Sequence, residues 1–230
     1  MAPESPASPV ASLEPPRDCP LCPRLVAYRE QSRAAHPEWW NAPVRVFGDP
    51  AAWLAIVGLA PGLKGANRTG RAFTGDGAGR LLYETLIAQG LASGDYRDGA
   101  EDGLALHGVA IVNAVRCVPP GNKPLPQEIA ACRAWFDPVL EALERVEILV
   151  ALGRVAHDAI LRSAGLRLAA FRFAHGAEHA LPDGRILIDS YHCSRLNTNT
   201  GRLTPAMFAA IFENAARLHG YVKLRDSNPG

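Results

Sequence analysis

The sequence has almost no net charge, no long apolar run and no visible secretory signal. Its 230 residues carry 24 Lys and Arg against 23 Asp and Glu, a formal net charge of +1. Overall charge therefore gives no argument for a nucleic-acid binder, and any basic surface must be local. No stretch approaches the roughly 18 apolar residues of a membrane span, and the N-terminal stretch lacks the apolar core of a signal peptide. We therefore expect a cytoplasmic protein that makes no membrane contact.

Length and composition favour one folded domain. The chain is 48% hydrophobic and 20% charged, which is typical of a globular protein. Residues 1–17 are rich in Pro, Ser and Ala, and we predict that they form a disordered leader. Residues 18–225 are then a single domain. Because structural disulfides are rare in the cytosol, the five cysteines need another explanation.

Short apolar runs alternate with helical patterns along the chain. Near-continuous apolar runs of this length suit parallel strands that are buried on both faces; they span residues 53–60, 108–115, 147–153 and 185–192. A further strand is possible within residues 168–176. Helical spacing appears at residues 77–91, 126–146, 154–166 and 204–221, with a break or kink expected at Pro138. This alternation predicts an α/β fold, a three-layer α/β/α sandwich with a mainly parallel sheet.

Polar residues follow the predicted strands at their carboxyl ends. The four strands lead into "GLAPG", "NAVRC", "GRVAH" and "YHCS". In open α/β sheets, ligands bind beyond the carboxyl ends of the strands. The sequence therefore predicts one site at this edge of the sheet.

Four of the cysteines form two spaced pairs. Cys19 and Cys22 make a C-x2-C pair, and Cys117 and Cys132 lie on either side of fourteen residues. Four thiolates can close a tetrahedral zinc site or hold an iron–sulfur cluster, and spacing alone does not choose between them. Unrelated buried cysteines remain the alternative. Cys193 is the odd one and lies beside the predicted site.

The glycine-rich segment 58–76 is not a known phosphate loop. It lacks the G-K-[ST] ending of a Walker A sequence and does not match G-x-G-x-x-G. Phe73 stands in a polar setting without helical or strand periodicity, so its ring is a candidate for stacking on a planar ligand. Asp76 is either the N-cap of the next helix or a carboxylate that binds a water molecule. A simple strand-to-helix turn remains possible.

The second unusual segment, residues 192–204, follows the last predicted strand. His192 ends that strand, and a run of polar side chains then surrounds Leu196. Hydroxyl, amide and guanidinium groups suit phosphate oxygens, and an exposed leucine can act as a wedge between bases. A solvated Asn/Thr loop is the alternative.

Taken together, these segments resemble the iron–sulfur uracil-DNA glycosylases. The resemblance rests on "GLAPG…NRTGRAFTGD", "NAVRC", "H-x-S-x-x-N-x-N-T-G-R-L-T" and the four cysteines, and it runs from Cys19 to the last helix. It is closest to the type B branch, also called family 5, because Leu59 stands where the type A branch has an acidic residue. One departure is Cys193, which replaces the family's usual proline after the motif histidine.

The resemblance implies a uracil-DNA glycosylase fold around a central four-stranded sheet, and an enzyme that acts as a monomer. It implies hydrolysis of the N-glycosidic bond of uracil in DNA by base flipping, with hypoxanthine, xanthine and other deaminated bases as further substrates. Base excision repair of DNA damage is the expected role. The family's [4Fe–4S] cluster would be held by Cys19, Cys22, Cys117 and Cys132.

The resemblance and the side-chain chemistry together predict three further sets of residues. The catalytic set is Asp76, Asn113 and His192. The base-binding set is Gly58, Leu59, Ala60, Gly62, Phe73, Asn113 and His192. The DNA-binding set is Asn67, Arg68, Ser194, Arg195, Leu196, Asn199, Thr200 and Arg202. Within these sets, the Asn113 amide offers the donor and the acceptor that match the O4 and N3–H edge of uracil.

Three alternatives stay open on the sequence. A non-catalytic nucleic-acid-binding module with a structural metal site would share the cysteines and the basic loop but would not need Asp76, Asn113 or His192. A relative that captures uracil-DNA covalently carries an extra basic insertion near the histidine motif, which this chain lacks. A nucleotide-binding α/β enzyme would need the phosphate-loop lysine that is missing here.

Overall fold

The strands of the protein lie mostly in one sheet. The computed structural model describes residues 10–75 and 77–227, with side chains through residue 220. Within these residues there are eight strands: β1 (Phe47–Gly48), β2 (Leu54–Gly58), β3 (Ala92–Ser93), β4 (Ala105–Leu106), β5 (Val109–Asn113), β6 (Ile148–Leu152), β7 (Glu178–Ala180) and β8 (Ile186–Ser190). Six of them form a sheet in the order β1-β5-β2-β6-β8-β7, and β3 and β4 form a separate hairpin-like pair.

The four central strands match the four predicted apolar runs. β5, β2, β6 and β8 pair in parallel, and nearly every residue in them is buried. The predicted four-stranded parallel sheet is therefore confirmed as the centre of the fold. Short strands β1 and β7 add antiparallel edges. Residues 168–176 do not form the additional strand considered from the sequence, because the added edge strand lies later, at Glu178–Ala180.

Helices cover both faces of the sheet. Their bounds are α1 (Pro23–Ala35), α2 (Ala66–Thr69), α3 (Gly77–Ala88), α4 (Pro126–Ala142), α5 (Arg154–Ser163), α6 (Arg195–Asn199) and α7 (Pro205–Ser227). Helices α3 and α7 pack one hydrophobic core, and α4 and α5 pack the other. This is the predicted three-layer α/β/α sandwich. Pro138 does not end α4, which continues through it.

Part of the predicted leader is folded. Val10 is buried among the residues of the α4/α5 face, and a short 3-10 helix follows at Ala11–Leu13. Glu14 accepts a hydrogen bond from the Val46 N–H at 2.7 Å. The prediction of disorder is therefore wrong for residues 10–17, because these residues gain burial and a backbone partner, while residues 1–9 lie outside the described part of the chain. No described helix has the length and apolarity needed to cross a bilayer.

Candidate active site and cysteine cavity

A small, partly open pocket lies at the carboxyl edge of the parallel sheet, where the sequence placed the site. Its cavity volume is about 40 Å³. Its lining comes from the segment after β2, the end of β5 and the segment after β8, and consists of Ala60, Pro61, Gly62, Ala66, Phe73, Ala78, Asn113 and His192. The fold therefore brings Phe73, Asn113 and His192, predicted from three separate segments, to one pocket.

The floor of this pocket depends on the register of two strands. Gly58 at the end of β2 pairs with Asn113 at the end of β5. A Cβ atom at position 58 would overlap Asn113 Oδ1 and would lie 2.8 Å from Phe73 Cζ. Both contacts are closer than real Cβ atoms show, so any other residue would displace the amide or the ring. Gly58 and Leu59 are not among the residues that line this pocket. Gly58 contributes because it has no side chain that would occupy the space of the Asn113 amide and the Phe73 ring.

Phe73 is held in an uncommon backbone conformation. Its φ is +55°, in the left-handed region that bulky residues rarely adopt, and its side chain is buried. The Tyr96 hydroxyl donates to the Phe73 carbonyl oxygen at 3.2 Å, and the Tyr83 hydroxyl donates to the Ala72 carbonyl oxygen at 2.6 Å. These bonds from other elements hold the strained turn and fix the ring.

A buried ion pair anchors the same turn two residues earlier. The Arg71 guanidinium donates two hydrogen bonds to the Asp102 carboxylate, at 2.7 and 2.6 Å. Asp102 also accepts the backbone N–H groups of Arg97 and Leu104, each at 3.1 Å. The Arg71 hydrogen bonds hold the pKa of Asp102 well below its usual range, an effect that burial opposes. No sequence pattern indicates this pair, since its members lie 31 residues apart in different segments.

Asn113 and His192 present polar groups to the pocket. Asn113 is 3% exposed, and its side-chain amide makes no hydrogen bond to any residue that the structure describes. His192 is half-buried, and its ring centroid lies 6.0 Å from that of Phe73. The Asn197 amide donates to the His192 carbonyl oxygen at 2.7 Å, which fixes the backbone of His192. An apolar ring, an amide and an imidazole thus surround one small space.

A wider groove continues from the pocket to the surface. It has about 1110 Å³ of empty space, and its lining is Leu59, Ala60, Gly62, Lys64, Gly75, Gly77, Ala78, Asn122, His192, Ser194 and Arg195. Of the predicted DNA-binding residues, Ser194 and Arg195 lie here. Lys64 and Asn122 were not predicted from the sequence, although the Pro-Gly-Asn turn around Asn122 is a recognisable loop signal.

The groove wall that carries Asn122 is tied to the N-terminal helix. Arg24 on α1 donates to both oxygens of the Glu128 carboxylate, each at 2.7 Å, and to the Lys123 carbonyl oxygen at 3.1 Å. Glu128 also accepts the Leu125 N–H at 2.7 Å. One clamp therefore joins α1, the 120–125 turn and the start of α4.

The segment after His192 forms an exposed projection. Leu196 on the short helix α6 is 74% exposed, the largest value among the exposed large apolar side chains of the described residues. The Thr200 hydroxyl donates to the Leu196 carbonyl oxygen at 2.7 Å, and Asn199 is exposed. The Arg202 guanidinium lies 4.5 Å from the ring centroid of Tyr191. These side chains are accessible, as contacts with an extended polyanion require.

Asn67 does not lie where the sequence predicted. It is 1% exposed, and its amide donates to Asn41 Oδ1 at 2.9 Å. The prediction that Asn67 binds DNA is therefore wrong as a surface contact, because reaching a phosphate would break this buried bond. Arg68 is exposed, and its guanidinium donates to the carbonyl oxygens of Lys64 and Asp98.

Neither Asp76 nor Cys193 is among the described residues that line the pocket. Asp76 is outside the described residues, so its predicted catalytic role has no structural description. Cys193 is fully buried in the core beneath α7 and is not among the pocket's lining residues. Solvent therefore does not reach the thiol that replaces the family's usual proline.

Below His192, a polar cluster braces the last strand of the parallel sheet. Asp189 on β8 lies 2.7 Å from His157 Nδ1 and 3.0 Å from His179 Nε2. His157 Nε2 donates to the Phe171 carbonyl oxygen at 3.1 Å. These hydrogen bonds connect β7 and α5 to β8.

The four predicted metal ligands line one cavity. Cys19, Cys22, Cys117 and Cys132 meet there with apolar side chains, among them Leu25 and Trp135, and with Arg29. Burial raises the pKa of the Cys117 thiol to about 11 and that of the Cys132 thiol to about 12. At these pKa values both thiols are protonated near neutral pH, and binding of a metal group would release their protons.

The spacing of the four sulfurs is wide. Among the described residues, the group of potential ligands whose donor atoms all lie within 4.8 Å of one another is His157, His179 and Asp189. No three cysteine sulfurs are that close. A tetrahedral zinc ion would hold its sulfurs about 3.8 Å apart, given Zn–S bonds of about 2.3 Å. No three of the four sulfurs therefore have the mutual spacing of ligands around one zinc ion.

Comparison with known proteins agrees with this architecture. The family model described as "Uracil DNA glycosylase superfamily" matches residues 46–216. A protein of Thermus thermophilus named "Type-5 uracil-DNA glycosylase" is 50% identical over 207 residues, covering 88% of this chain and 94% of the relative. A protein of the same name from Pyrobaculum aerophilum is 41% identical over 203 residues, covering 86% and 88%.

Relatives of the neighbouring branch are less similar. A "Type-4 uracil-DNA glycosylase" of Sulfurisphaera tokodaii is 32% identical over 174 residues, covering 73% of this chain and 72% of the relative. The higher identity to the type-5 proteins agrees with Leu59, which indicated the type B branch. The chain belongs to the uracil DNA glycosylase superfamily and, within it, to the type-5 uracil-DNA glycosylases.

Proposed function

We propose that the protein is a DNA repair glycosylase that hydrolyses the N-glycosidic bond between uracil and deoxyribose in DNA and leaves an abasic site. One observation carries this proposal. Phe73, Asn113 and His192 line the same small pocket at the carboxyl edge of the sheet. A non-catalytic DNA-binding module would not need an aromatic ring, an amide and an imidazole around one pocket. No observation favours that alternative.

Recognition of the base depends on Phe73 and Asn113. The uracil ring would stack on the Phe73 ring, with its polar edge toward the Asn113 amide. That amide is buried and has no described hydrogen-bond partner, so it is available to pair with O4 and N3–H of uracil. Cytosine presents the opposite donor and acceptor at this edge, and a fixed amide would leave it unpaired.

Bond cleavage would place negative charge on the leaving base and positive charge on the sugar. The C1′–N1 bond breaks with its electron pair on uracil, and water supplies hydroxide to C1′ and a proton to the base. His192, on the pocket wall, would stabilise the developing charge on the base, together with backbone N–H groups near Gly58 to Gly62. Asp76 would position the water or balance the positive sugar; this role rests on the "FTGD" motif alone.

Extrusion of the nucleotide would use the exposed projection. Leu196 would fill the space vacated in the duplex. Ser194, Arg195, Asn199, Thr200 and Arg202 would contact the DNA backbone, and Arg68 and Lys64 would extend this surface. Asn67 has no part in this contact because its side chain is buried.

The residues of the cysteine cavity fit a [4Fe–4S] cluster. The donor set is four sulfurs, which is the ligand set of such clusters. No three of them lie within 4.8 Å of one another, whereas the sulfurs around one zinc ion would be about 3.8 Å apart. Cys19, Cys22, Cys117 and Cys132 would hold the cluster. When bound, it would supply a structural crosslink between the N-terminal segment, the end of β5 and α4, close to the groove wall at Asn122.

The acceptance of other bases is the finer part of the proposal. Leu59 leaves the pocket entrance without the acidic group of the type A branch, and this favours tolerance of hypoxanthine and xanthine beside uracil. Monomeric state and cytoplasmic location stay predictions.

The test is excision from oligonucleotides that carry uracil, hypoxanthine, xanthine or thymine opposite each base, under single-turnover conditions. We expect rapid release of uracil and no release of thymine. Asn113→Asp should lower uracil release by roughly 100-fold, because a carboxylate cannot donate to O4. Gln31→Glu, at an exposed position on α1, serves as the control. Binding of uracil-DNA without any base release would contradict the proposal.

A further inference from the structure

Arg29 is a buried cation in the cysteine cavity. It lies on α1 and is 3% exposed. Its guanidinium Nη1 and Nη2 donate to the Cys19 carbonyl oxygen at 3.3 and 3.2 Å, and Nη1 lies 3.9 Å from the Cys117 sulfur. Arg29 Nε has no hydrogen-bond partner among the residues that the structure describes. The side chain is therefore directed at the cysteine ligands with part of its donor capacity unused.

In the described part of the chain, no buried carboxylate forms an ion pair with Arg29. The nearest is Glu30, whose Oε1 lies 3.9 Å from Arg29 Nε. Glu30 is 56% exposed and lies closer, at 2.9 Å, to Arg33. An ion pair of this length and exposure contributes little, so Glu30 does not neutralise a guanidinium that is almost completely removed from water.

The other buried arginines of the described residues have buried carboxylates. Arg71 makes two hydrogen bonds to Asp102. Arg116 Nη2 lies 3.3 Å from Glu14 Oε2, and the Glu14 side chain is 6% exposed. An uncompensated buried charge is strongly destabilising, so a protein keeps one only where a counter-charge is supplied. For Arg29, the cysteine cavity is the place from which that counter-charge must come.

We propose that Arg29 is the buried counter-charge of the iron–sulfur cluster. The inference rests on the proposed cofactor. A [4Fe–4S] cluster with four thiolates is an anion, and one-electron reduction makes it more negative. A fixed guanidinium beside Cys117 and Cys19 stabilises both states, and it stabilises the reduced state more. Arg29 therefore raises the reduction potential and helps retain the cluster.

This role has a consequence that a purely packing role lacks. In the loaded protein, Arg29 is neutralised and stabilising. In cluster-free protein, it has lost its counter-charge and is destabilising. Removal of the charge should thus lower the melting temperature of loaded protein and leave unchanged or raise that of cluster-free protein. A residue that only filled space would lower both.

The experiment compares full-length wild type with Arg29→Met, Arg29→Lys and Arg33→Met. Methionine keeps an unbranched apolar stem without the charge, and lysine keeps the charge. Arg33 is the matched control, since it lies one turn further along α1 and already pairs with Asp18 and Glu30. The readouts are iron and sulfide per chain, the midpoint potential in a redox titration, the rate of cluster loss to a chelator, and melting temperature with and without the cluster.

We expect Arg29→Met to lose its cluster faster and to have a more negative midpoint potential than wild type, with Arg29→Lys between them and Arg33→Met unchanged. Should Arg29→Met retain no cluster, loss confined to this variant supports the proposal, and Arg29→Lys then provides the potential. Equal potentials and equal loss rates in all four proteins would overturn the role of Arg29. Equal loss of cluster from Arg29→Met and Arg29→Lys would also overturn it, because charge would not matter.

Failure of the proposed cofactor gives a different result. Wild-type protein that contains stoichiometric zinc and no iron would overturn the cluster and this inference together. Base release by wild type, measured on the same preparations, reports separately on the glycosylase proposal. Active, iron-containing wild type with an unaffected Arg29→Met variant would refute the Arg29 inference alone.

Discussion

The loop that carries Phe73 and the loop that follows His192 border the same groove but are held in opposite ways. Around Phe73, the fixing hydrogen bonds are buried and come from distant residues, 31 residues apart for Arg71 with Asp102 and 23 for Tyr96 with Phe73. In the second loop, the bonds are local, as in Thr200 with Leu196, four residues apart. The first loop is part of the core, and the second is a surface projection.

This difference matches the two tasks proposed for the loops. Discrimination between bases needs groups that are already fixed when the base arrives, because reorganisation would consume binding energy. Contacts with a flexible phosphate backbone work in solvent and tolerate local adjustment. Substitutions in the first loop should therefore affect stability and catalysis together, whereas substitutions in the second should affect DNA handling alone.

The largest effect is expected from Asp102→Ala. It leaves Arg71 buried without a partner, so the free energy of unfolding should fall by about 3–5 kcal/mol. Urea denaturation measures the change. The control is Glu84→Ala, which removes an exposed partner 3.8 Å from Arg80 and should cost less than about 0.5 kcal/mol. Similar costs for the two variants would mean that the Phe73 loop is no better anchored than the surface.

Acid should weaken the same anchor. Because the folded-state pKa of Asp102 is depressed by Arg71, the pair contributes its stability above the unfolded pKa of about 3.9. This contribution is lost as the pH falls through the lower, folded pKa. The stability difference between wild type and Asp102→Ala should thus be constant from pH 7 to about 5 and shrink below about 4. A difference that grows on acidification contradicts this sign.

Gly58→Ala should reduce catalysis next most strongly. The added methyl group would overlap Asn113 Oδ1 and the Phe73 ring. Displacement of these base-binding groups by about 1 Å should lower the rate of base release roughly 100-fold. Single-turnover release of uracil measures it. Gly99→Ala is the control, since no atom lies within 4 Å of the added group there. Full activity of Gly58→Ala would show that the pocket adjusts freely, against the contrast drawn between the loops.

Leu196→Ala should have a smaller and more selective effect. The side chain is 74% exposed, so the melting temperature should not change. Release of uracil from a U·G pair should slow by about tenfold, and release from single-stranded DNA should slow less, because no space in a stacked duplex needs filling there. Val155→Ala, another exposed apolar side chain, is the control. Equal slowing on both substrates would remove the wedge role.

Arg202→Met should give the smallest effect. Loss of one phosphate contact should weaken DNA binding a few-fold and reduce the slope of log affinity against log salt concentration by about 0.9. Binding to an abasic-site duplex at several salt concentrations measures this, with Arg217→Met on α7 as the control. An unchanged slope would indicate that Arg202 serves only to cover Tyr191.

The sequence predicted those parts of the molecule that depend on local pattern. The four parallel strands were found because each is a short, fully buried apolar run. Phe73, Asn113 and His192 were found because strand ends meet at one edge of a parallel sheet, and because the family resemblance assigned roles to their motifs. The edge strands β1 and β7 were missed because runs of two and three residues carry no periodicity.

What was missed depends on partners distant in the chain. Asn67 has the composition of a surface residue, and only its bond to Asn41, 26 residues away, turns it inward. Arg29 and Arg71 look like ordinary solvated arginines until the fold encloses them. The catalytic role of Asp76 stays a prediction, because Asp76 lies outside the described residues. A single sequence contains the polar groups but not the pairing that decides whether they are surface contacts or buried supports.

The clamp between Arg24 and Glu128 bears on how the protein is made. Its two halves are 104 residues apart, and the first cysteine pair is likewise far along the chain from Cys117 and Cys132. Synthesis on the ribosome proceeds from the N-terminus, so α1 emerges long before its docking site exists. The four thiols cannot share one cavity until Cys132 has left the exit tunnel. The cysteine cavity therefore forms late in synthesis. Until then, Cys19 and Cys22 are exposed to oxidation or to binding of the wrong metal.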